Sequence, residues 1–216
     1  MNKNIKNIIF DLGGVVIDLS RDSSVEHLQK IGLTDADRLL DPYVQRGPFL
    51  QLETGKITAA QFFDLVRDEI SNAGRPVPTD DEIARAFEKF LIGIPVERLQ
   101  RIRDLRRAGY RVYALSNTNP VMFNGWISEA FQAEGLRFYD YFDGAVTSFQ
   151  EGYCKPDPRL FEVVLRRYGL DPAETLMLDD APKNAQAAAD AGMQAGRVGY
   201  TPADDMLAIT APLLEN

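Results

Sequence analysis

The chain has 216 residues, of which 45% are hydrophobic and 26% charged, as expected for a globular protein with one well-buried domain and a smaller second one. Its formal net charge of −8 argues against nucleic-acid binding, because its 32 acidic residues outnumber its 24 basic ones and a phosphate backbone is itself anionic. The only cysteine, Cys154, excludes an intrachain disulfide and fits a reducing compartment.

The first predicted element is the strand NIIF, directly before Asp11, whose apolar run is too short for a helix. Residues 110–116, 145–148, 175–179 and 195–200 show the same kind of run. Helical patterns separate the later strands, and PVERLQRIRDLRRAG and PDPRLFEVVLRRYG each begin at a proline and end at a glycine. This alternation predicts an α/β fold with a doubly wound parallel sheet, in which ligands bind at the carboxyl ends of the strands.

One long region interrupts the alternation. From about Ser20 to Gly93 we find no convincing strand, only helical segments such as TAAQFFDLVRDEISNAG and TDDEIARAFEKFLIG. Each of these begins with a residue suited to capping a helix and ends near a glycine. We therefore predict a core domain of residues 1–17 and 94–216, with residues 18–93 as a helical insert between the first and second strands.

The sequence shows no sign of export or membrane insertion. Asp11 interrupts the N-terminal apolar run, and no apolar stretch is long enough to span a bilayer. We expect a cytoplasmic protein with no signal peptide and no membrane contact, present as a monomer or homodimer.

Polar side chains follow several predicted strands, at the edge where the carboxyl ends of parallel strands meet. A lysine begins the helix before the fourth strand, so its side chain is expected at the same edge. These residues are Asp11 after the first strand, Ser116 and Asn117 after the second, Asp179 and Asp180 at the fourth, and Lys155.

This group of residue types indicates phosphoryl chemistry. Three carboxylates beside one lysine need a divalent cation, and ligands that are all oxygen favour Mg²⁺ over softer metals. A lysine, a hydroxyl and an amide around that cation form a receptor for a phosphoryl group. A carboxylate in line with phosphorus can attack it and form an aspartyl phosphate, which water then cleaves. The sequence thus predicts metal-assisted phosphoryl transfer on a small phosphorylated metabolite.

Four segments, FDLGGV, LSNTN, KPDP and LDDAPKNAQAA, resemble in order and spacing the four motifs of the haloacid dehalogenase-like (HAD) hydrolase superfamily. The likeness covers nearly the whole chain, and the helical insert resembles the C1 cap of that superfamily. Within it, the chain most resembles bacterial sugar phosphatases of the alpha-glucose-1-phosphatase type. The resemblance implies a Rossmann-like core with a C1 cap and a Mg²⁺-dependent phosphatase activity.

The resemblance also implies roles for individual residues. Asp11 would be the nucleophile and a Mg²⁺ ligand, and the backbone carbonyl of Gly13 would be a second ligand. Asp179 and Asp180 would hold the metal. The phosphate would be bound by Ser116, Asn117 and Lys155, of which Ser116 and Lys155 also count as catalytic.

Position 13 departs from the superfamily pattern. Most of its phosphatases have an aspartate there, two residues after the nucleophile, as general acid and base, whereas this chain has Gly13. General acid–base catalysis typically contributes about 10²–10⁴-fold in rate, so its loss matters. Three interpretations stay open: a phosphatase whose leaving group needs little protonation, a haloacid dehalogenase, and a catalytically impaired protein that binds a phosphorylated ligand.

The paired aspartates favour the first interpretation, because the dehalogenases of this superfamily need no Mg²⁺ and do not keep Asp179 and Asp180. A sugar 1-phosphate is the favoured substrate, since its anomeric leaving group is less basic than an ordinary alkoxide. Substrate selection is expected in the insert, where the segment VQRGPFLQLETGKIT contains Gln45, Arg46, Phe49 and Glu53 as candidates for stacking and hydroxyl contacts. Arg46 and Glu53 are the predicted substrate contacts. The alternative, that these residues only join two helices, also stays open.

Overall fold

The computed structural model of the chain describes residues 4–41, 45–72, 74, 76–199 and 201–215. Five parallel strands form the central sheet, and two short strands form a separate antiparallel ribbon. In chain order the strands are β1 (Asn7–Phe10), β2 (Asp18–Leu19), β3 (Leu91–Gly93), β4 (Arg111–Ser116), β5 (Gly144–Thr147), β6 (Thr175–Asp179) and β7 (Gln194–Arg197). The sheet order β5-β4-β1-β6-β7 confirms the predicted doubly wound α/β fold.

The central strand β1 determines where the core lies. Ile8 pairs in register with Val112 of β4 on one side and with Leu176 of β6 on the other. All four residues of β1 are buried, and Ile8 and Ile9 belong to different apolar clusters. Because successive side chains of a strand point to opposite faces, the sheet is covered by apolar side chains on both sides.

Helices surround the sheet and form most of the region between β2 and β3. Among the described residues, no helix is both long enough and apolar enough to cross a membrane. The helices are α1 (Arg21–Lys30), α2 (Ala36–Leu39), α3 (Gly47–Glu53), α4 (Ala59–Asn72), α5 (Asp80–Glu88), α6 (Val96–Arg107), α7 (Pro120–Met122), α8 (Ser128–Ala130), α9 (Phe138–Tyr141), α10 (Ser148–Glu151), α11 (Pro158–Tyr168), α12 (Pro182–Asp190) and α13 (Met206–Thr210). A π-helical turn covers Phe123–Ile127, and 3₁₀ turns cover Phe131–Glu134, Pro172–Glu174 and Ala211–Leu213.

One predicted helix is shorter than its sequence pattern suggested. The segment TDDEIARAFEKFLIG is helical only over Asp80–Glu88, and its last residues form β3. β3 pairs with β2 in antiparallel register, Asp18 opposite Gly93, so the expectation of no strand up to Gly93 was wrong at its end. The chain leaves and re-enters the core side by side at this point, and the two segments satisfy each other's backbone hydrogen bonds. The domain boundaries at 17/18 and 93/94 stay a prediction.

Three phenylalanines hold α3, α4 and α5 together. Phe49, Phe62 and Phe87 are almost completely buried, and their ring centroids lie 5.0, 4.9 and 5.6 Å apart. Two of the three pairs are edge-to-face, the geometry that the ring quadrupoles favour. This cluster fixes the position of α3, whose last residue is Glu53.

The end of α3 also contacts the core directly. Gly55 has a positive φ of 62°, and a Cβ atom added there would lie 2.2 Å from the carbonyl oxygen of Phe149. The thiol of Cys154 lies 3.9 Å from the carbonyl oxygen of Glu53. Only glycine permits so close an approach of two backbone segments. These contacts place Glu53 next to the loop that precedes Lys155.

The phenylalanine cluster gives a test of the fold. We expect Phe62→Ala to lower the free energy of unfolding by about 3–5 kcal/mol, because it leaves a cavity between the helices. Tyr139→Ala is the control, since that ring is 63% exposed and its loss should cost less than about 1 kcal/mol. Urea denaturation followed by circular dichroism measures both values. Equal losses in the two variants would contradict the packing described above.

Candidate active site

Asp11 lies at the carboxyl end of β1 and is 8% exposed. Its backbone N–H donates to the carbonyl oxygen of Leu178 on β6 at 2.9 Å. Its Oδ1 accepts a hydrogen bond from the backbone N–H of Leu12 at 2.7 Å, and its Oδ2 lies 2.9 Å from Nζ of Lys155. The carboxylate is therefore held by the backbone and by one cation, and it still lines a cavity above the sheet.

Lys155 compensates the buried charge from below. Its Nζ donates to Asp179 Oδ2 at 2.6 Å and to the carbonyl oxygen of Leu115 at 2.9 Å, besides its contact with Asp11. Burial by itself lowers the pKa of Lys155, but Asp11 and Asp179 outweigh it and raise that pKa above its usual value. The ammonium group thus stays charged, and its three N–H bonds all point at protein oxygens. The predicted contact between Lys155 and a phosphate stays a prediction, since this side chain is not among the residues that line the cavity.

The two aspartates predicted to hold the metal differ in burial. Asp179 is the last residue of β6, and Asp180 follows it. Asp179 is fully buried, and its Oδ1 accepts from the backbone N–H of Ala181 and from Nδ2 of Asn184, both at 3.0 Å. Asp180 is partly exposed and lines the cavity. Asp179 therefore anchors the site from behind, whereas Asp180 faces the space where a ligand can bind.

Three carboxylates lie close enough together to hold a metal ion, those of Asp11, Asp179 and Asp180. Each offers an oxygen within 4.8 Å of the others. Gly14 makes this possible, because a Cβ atom at that position, with φ at +72°, would lie 2.3 Å from Oδ2 of Asp180. Gly13, whose carbonyl is the other predicted ligand, lines the same cavity.

The charge balance also favours a cation at this place. Burial raises the pKa of Asp11 to about 7, with Lys155 opposing and Asp179 and Asp180 reinforcing the shift. Burial and the neighbouring Asp179 raise the pKa of Asp180 to about 6. One lysine thus does not fully compensate three carboxylates. Because the donor set consists of oxygens alone, the residues present fit Mg²⁺.

Ser116 and Asn117 lie where the sequence places them, at the carboxyl end of β4, and both line the cavity. The Ser116 side chain is buried beside Asp11 on the neighbouring strand, with its hydroxyl 3.5 Å from the carbonyl of Asn117. The Asn117 amide instead pairs with the backbone of Lys155, donating from Nδ2 to its carbonyl at 2.9 Å and accepting from its N–H at 2.7 Å. Asn117 therefore fixes the loop that carries the lysine.

The cavity has a volume of about 90 Å³. A single water molecule needs a cavity of at least ~15 Å³, so this space admits a small ligand. Its floor comes from the strand ends, and its opposite wall comes from the insert. The insert residues are Leu19, Gln45, Glu53, Phe87, Phe90 and Leu91.

The two predicted substrate contacts in the insert have different outcomes. Arg46 is exposed and lies outside the cavity lining, where its neighbour Gln45 takes the expected place. The contact between Arg46 and a substrate stays a prediction, because its side chain is outside the lining. Glu53 does line the cavity, and burial, followed by the charge of Asp11, raises its pKa to about 8. Its carboxyl group therefore carries a proton at pH 7.

Sequence reasoning missed one polar residue of the site, Asn184. It lies four residues after Asp180, one helical turn into α12, so its side chain returns to the strand end. That spacing could have been recognised from the sequence. Gln45 stood in the segment expected to select the substrate, but no local pattern distinguished it from its neighbour Arg46.

Residues 5–192 match the family described as haloacid dehalogenase-like hydrolase. A D-ribitol-5-phosphate phosphatase of Bacteroides thetaiotaomicron is 38% identical over 190 residues, which cover 88% of this chain and 90% of that protein. A HAD family enzyme of the same organism, crystallised with magnesium and inorganic phosphate, superposes with a TM-score of 0.83 at 34% identity, covering 90% of this chain and 94% of the other. A HAD-like hydrolase of Porphyromonas gingivalis gives a TM-score of 0.84 at 34% identity, over 99% and 100% of the two chains. These similarities agree with the carboxylates at the strand ends and with the buried lysine. The chain belongs to the family of haloacid dehalogenase-like hydrolases.

Proposed function

We propose that this enzyme is a Mg²⁺-dependent phosphatase that hydrolyses a small phosphorylated sugar, with a sugar 1-phosphate favoured. The observation that carries the proposal is the carboxylate of Asp11, held by Lys155 at the floor of a small cavity beside Asp180 and Ser116. The similarity to a D-ribitol-5-phosphate phosphatase and to an enzyme crystallised with magnesium and phosphate supports a Mg²⁺-dependent sugar phosphatase, without favouring a 1-phosphate.

In this proposal Asp11, Asp180 and the carbonyl of Gly13 hold Mg²⁺, and Asp179 supports them from behind. When bound, the ion offsets the negative charge of the carboxylates and of the phosphate, so that one anion can approach the other. Lys155 contributes by opposing the rise in the pKa of Asp11 that burial causes, because its ammonium group lies 2.9 Å from the carboxylate.

The reaction has two steps on Asp11. A carboxylate oxygen attacks phosphorus, the bond between phosphorus and the sugar oxygen breaks, and an aspartyl phosphate forms. A water molecule then attacks that phosphorus, which releases inorganic phosphate and restores the carboxylate. We assign to the Ser116 hydroxyl and to the backbone around Asn117 the task of orienting the phosphoryl group for both attacks.

Gly13 is the reason for favouring a sugar 1-phosphate. The sugar oxygen needs a proton as it leaves, and a glycine two residues after Asp11 cannot supply one. An anomeric oxygen is a better leaving group than a primary alkoxide and suffers less from this lack.

A second candidate substrate is the 5-phosphate of a sugar alcohol, favoured by one specific observation. Glu53 lines the cavity with a pKa of about 8, so at neutral pH it has a proton to donate. In that case Glu53 replaces the missing aspartate, and a primary phosphate such as ribitol 5-phosphate becomes a good substrate.

We further propose a cytoplasmic enzyme that is a monomer or homodimer and has no nucleic-acid partner. The net charge of −8 supports the absence of nucleic-acid binding, and the single cysteine is consistent with a reducing compartment. Gel filtration with light scattering measures the oligomeric state.

The first prediction concerns the metal. Gly14→Ala should weaken Mg²⁺ binding at least about tenfold, because the added methyl group displaces Asp180 and strains a backbone with φ at +72°. Gly135→Ala is the matched control, since Gly135 has nearly the same φ, +74°, but has no atom within 4 Å of the added Cβ. Calorimetric titration with Mg²⁺ measures both affinities. If the two variants bind Mg²⁺ equally well, Asp180 is not a ligand.

The second prediction separates the two substrates. For a 1-phosphatase without an acid, kcat/KM for glucose 1-phosphate should exceed that for glucose 6-phosphate by about tenfold or more. Gly13→Asp should then raise activity on glucose 6-phosphate more than on glucose 1-phosphate. The new Cβ atom lies 3.0 Å from the end of the flexible Leu19 side chain, which can shift. Equal wild-type rates on both phosphates would contradict the 1-phosphate proposal.

The third prediction tests Glu53 as the proton donor. Glu53→Gln should lower kcat for ribitol 5-phosphate about 10²-fold, and should lower that for p-nitrophenyl phosphate much less, because nitrophenolate needs no proton to leave. The wild-type rate on ribitol 5-phosphate should fall as pH rises through about 8, since Glu53 then loses its proton, and the variant should lack this limb. Glu69→Gln, at an exposed position of α4, is the control. Equal losses on both substrates would exclude Glu53 as an acid.

A further inference from the structure

Gln45 is a buried polar side chain with one unused atom. The residue is 7% exposed, and its Oε1 has no hydrogen-bond partner among the described residues. Burying an acceptor without a donor costs free energy, so such atoms are rare in folded proteins. The side chain lines the cavity that contains Asp11.

The orientation of the Gln45 amide follows from its other hydrogen bond. Nε2 donates to the carbonyl oxygen of Asp41 at 3.0 Å. A carbonyl oxygen is only an acceptor, so the amide nitrogen must face it and the amide oxygen must face the other way. Oε1 is therefore an oriented acceptor without a donor, on a side chain that lines the cavity.

The surroundings of Gln45 make this acceptor distinctive. Of the insert residues that line the cavity, only Gln45 and Glu53 are polar, and the others include Phe87, Phe90 and Leu91. The phosphate-binding groups all lie on the opposite side, at the strand ends. An apolar wall with one neutral acceptor suits a neutral part of a ligand that carries a hydroxyl group.

We propose that Gln45 is a specificity-determining residue that accepts a hydrogen bond from a hydroxyl group of the substrate. The proposal rests on the proposed phosphatase function and deepens it, because it assigns the recognition of the hydroxylated part of the substrate to one residue. Gln45 takes no part in the chemistry at phosphorus. A site built to bond a hydroxyl group discriminates against analogues that lack it, because its polar atom is then left unpaired.

The first experiment compares substrates. Gln45→Met keeps the length of the side chain and removes the acceptor, and it should lower kcat/KM for ribitol 5-phosphate or glucose 1-phosphate about tenfold more than that for phenyl phosphate. Gln51→Met, the same change at an exposed position of α3, is the matched control and should not change this ratio. A ratio in Gln45→Met that equals the wild-type ratio overturns the proposal. Thermal unfolding of both variants shows whether they fold.

The second experiment does not require turnover. Calorimetry with Mg²⁺ present measures the affinity of wild type and Gln45→Met for the non-hydrolysable phosphonate analogue of ribitol 5-phosphate and for methylphosphonate. The wild type should bind the hydroxylated phosphonate more tightly, and Gln45→Met should lose about tenfold of that difference.

The outcomes separate the two proposals. If the wild type binds the hydroxylated phosphonate no more tightly than methylphosphonate, or if Gln45→Met weakens both ligands equally, the role of Gln45 is wrong. If the wild type shows the expected affinities but hydrolyses no phosphate ester, the phosphatase function fails and the hydroxyl-binding role of Gln45 stands.

Discussion

The buried ammonium group of Lys155 between Asp11 and Asp179 is the interaction on which the site depends. It lies 2.9 and 2.6 Å from the two carboxylates, and its side chain is fully buried. Removing either partner of such a pair leaves an uncompensated charge in a low dielectric, which is strongly destabilising. Asp180 adds a third carboxylate beside this pair, so the floor of the cavity carries an excess of negative charge that a cation would offset.

The order of the strands produces this arrangement. β1 lies between β4 and β6, so the residue that follows β1 has the ends of both neighbours beside it. Asp11 therefore meets Ser116 on one side and Asp179 on the other. Lys155 comes from the loop before α11 and is held there by the amide of Asn117. The position of the polar residues at the strand ends thus follows from the sheet topology and from the loop that carries Lys155.

The opposite half follows from packing in the insert. The aromatic cluster of Phe49, Phe62 and Phe87 fixes α3, and the backbone approach at Gly55 brings its end to the core. Glu53 and Gln45 consequently face the strand ends from the other side. The cavity therefore has an acidic floor, whose carboxylates fit a cation, and a largely apolar wall that carries two polar side chains.

The sequence by itself determined the five strands of the central sheet, the sheet class and the group of polar residues at the strand ends, because these features depend on local patterns and on the convergence of parallel strands. Asp11, Ser116 and Asp180 line one cavity, as their positions predicted. The glycine at position 13, whose side chain cannot donate a proton, was also evident from the sequence alone.

Tertiary structure decided the rest. The burial of Lys155, the pairing of β3 with β2, the position of Gln45 in the cavity lining and the raised pKa of Glu53 depend on contacts between residues far apart in the chain. A local pattern specifies which face of an element is apolar, but not which distant surface covers it. Burial, side-chain direction and pKa arise only when that surface is in place.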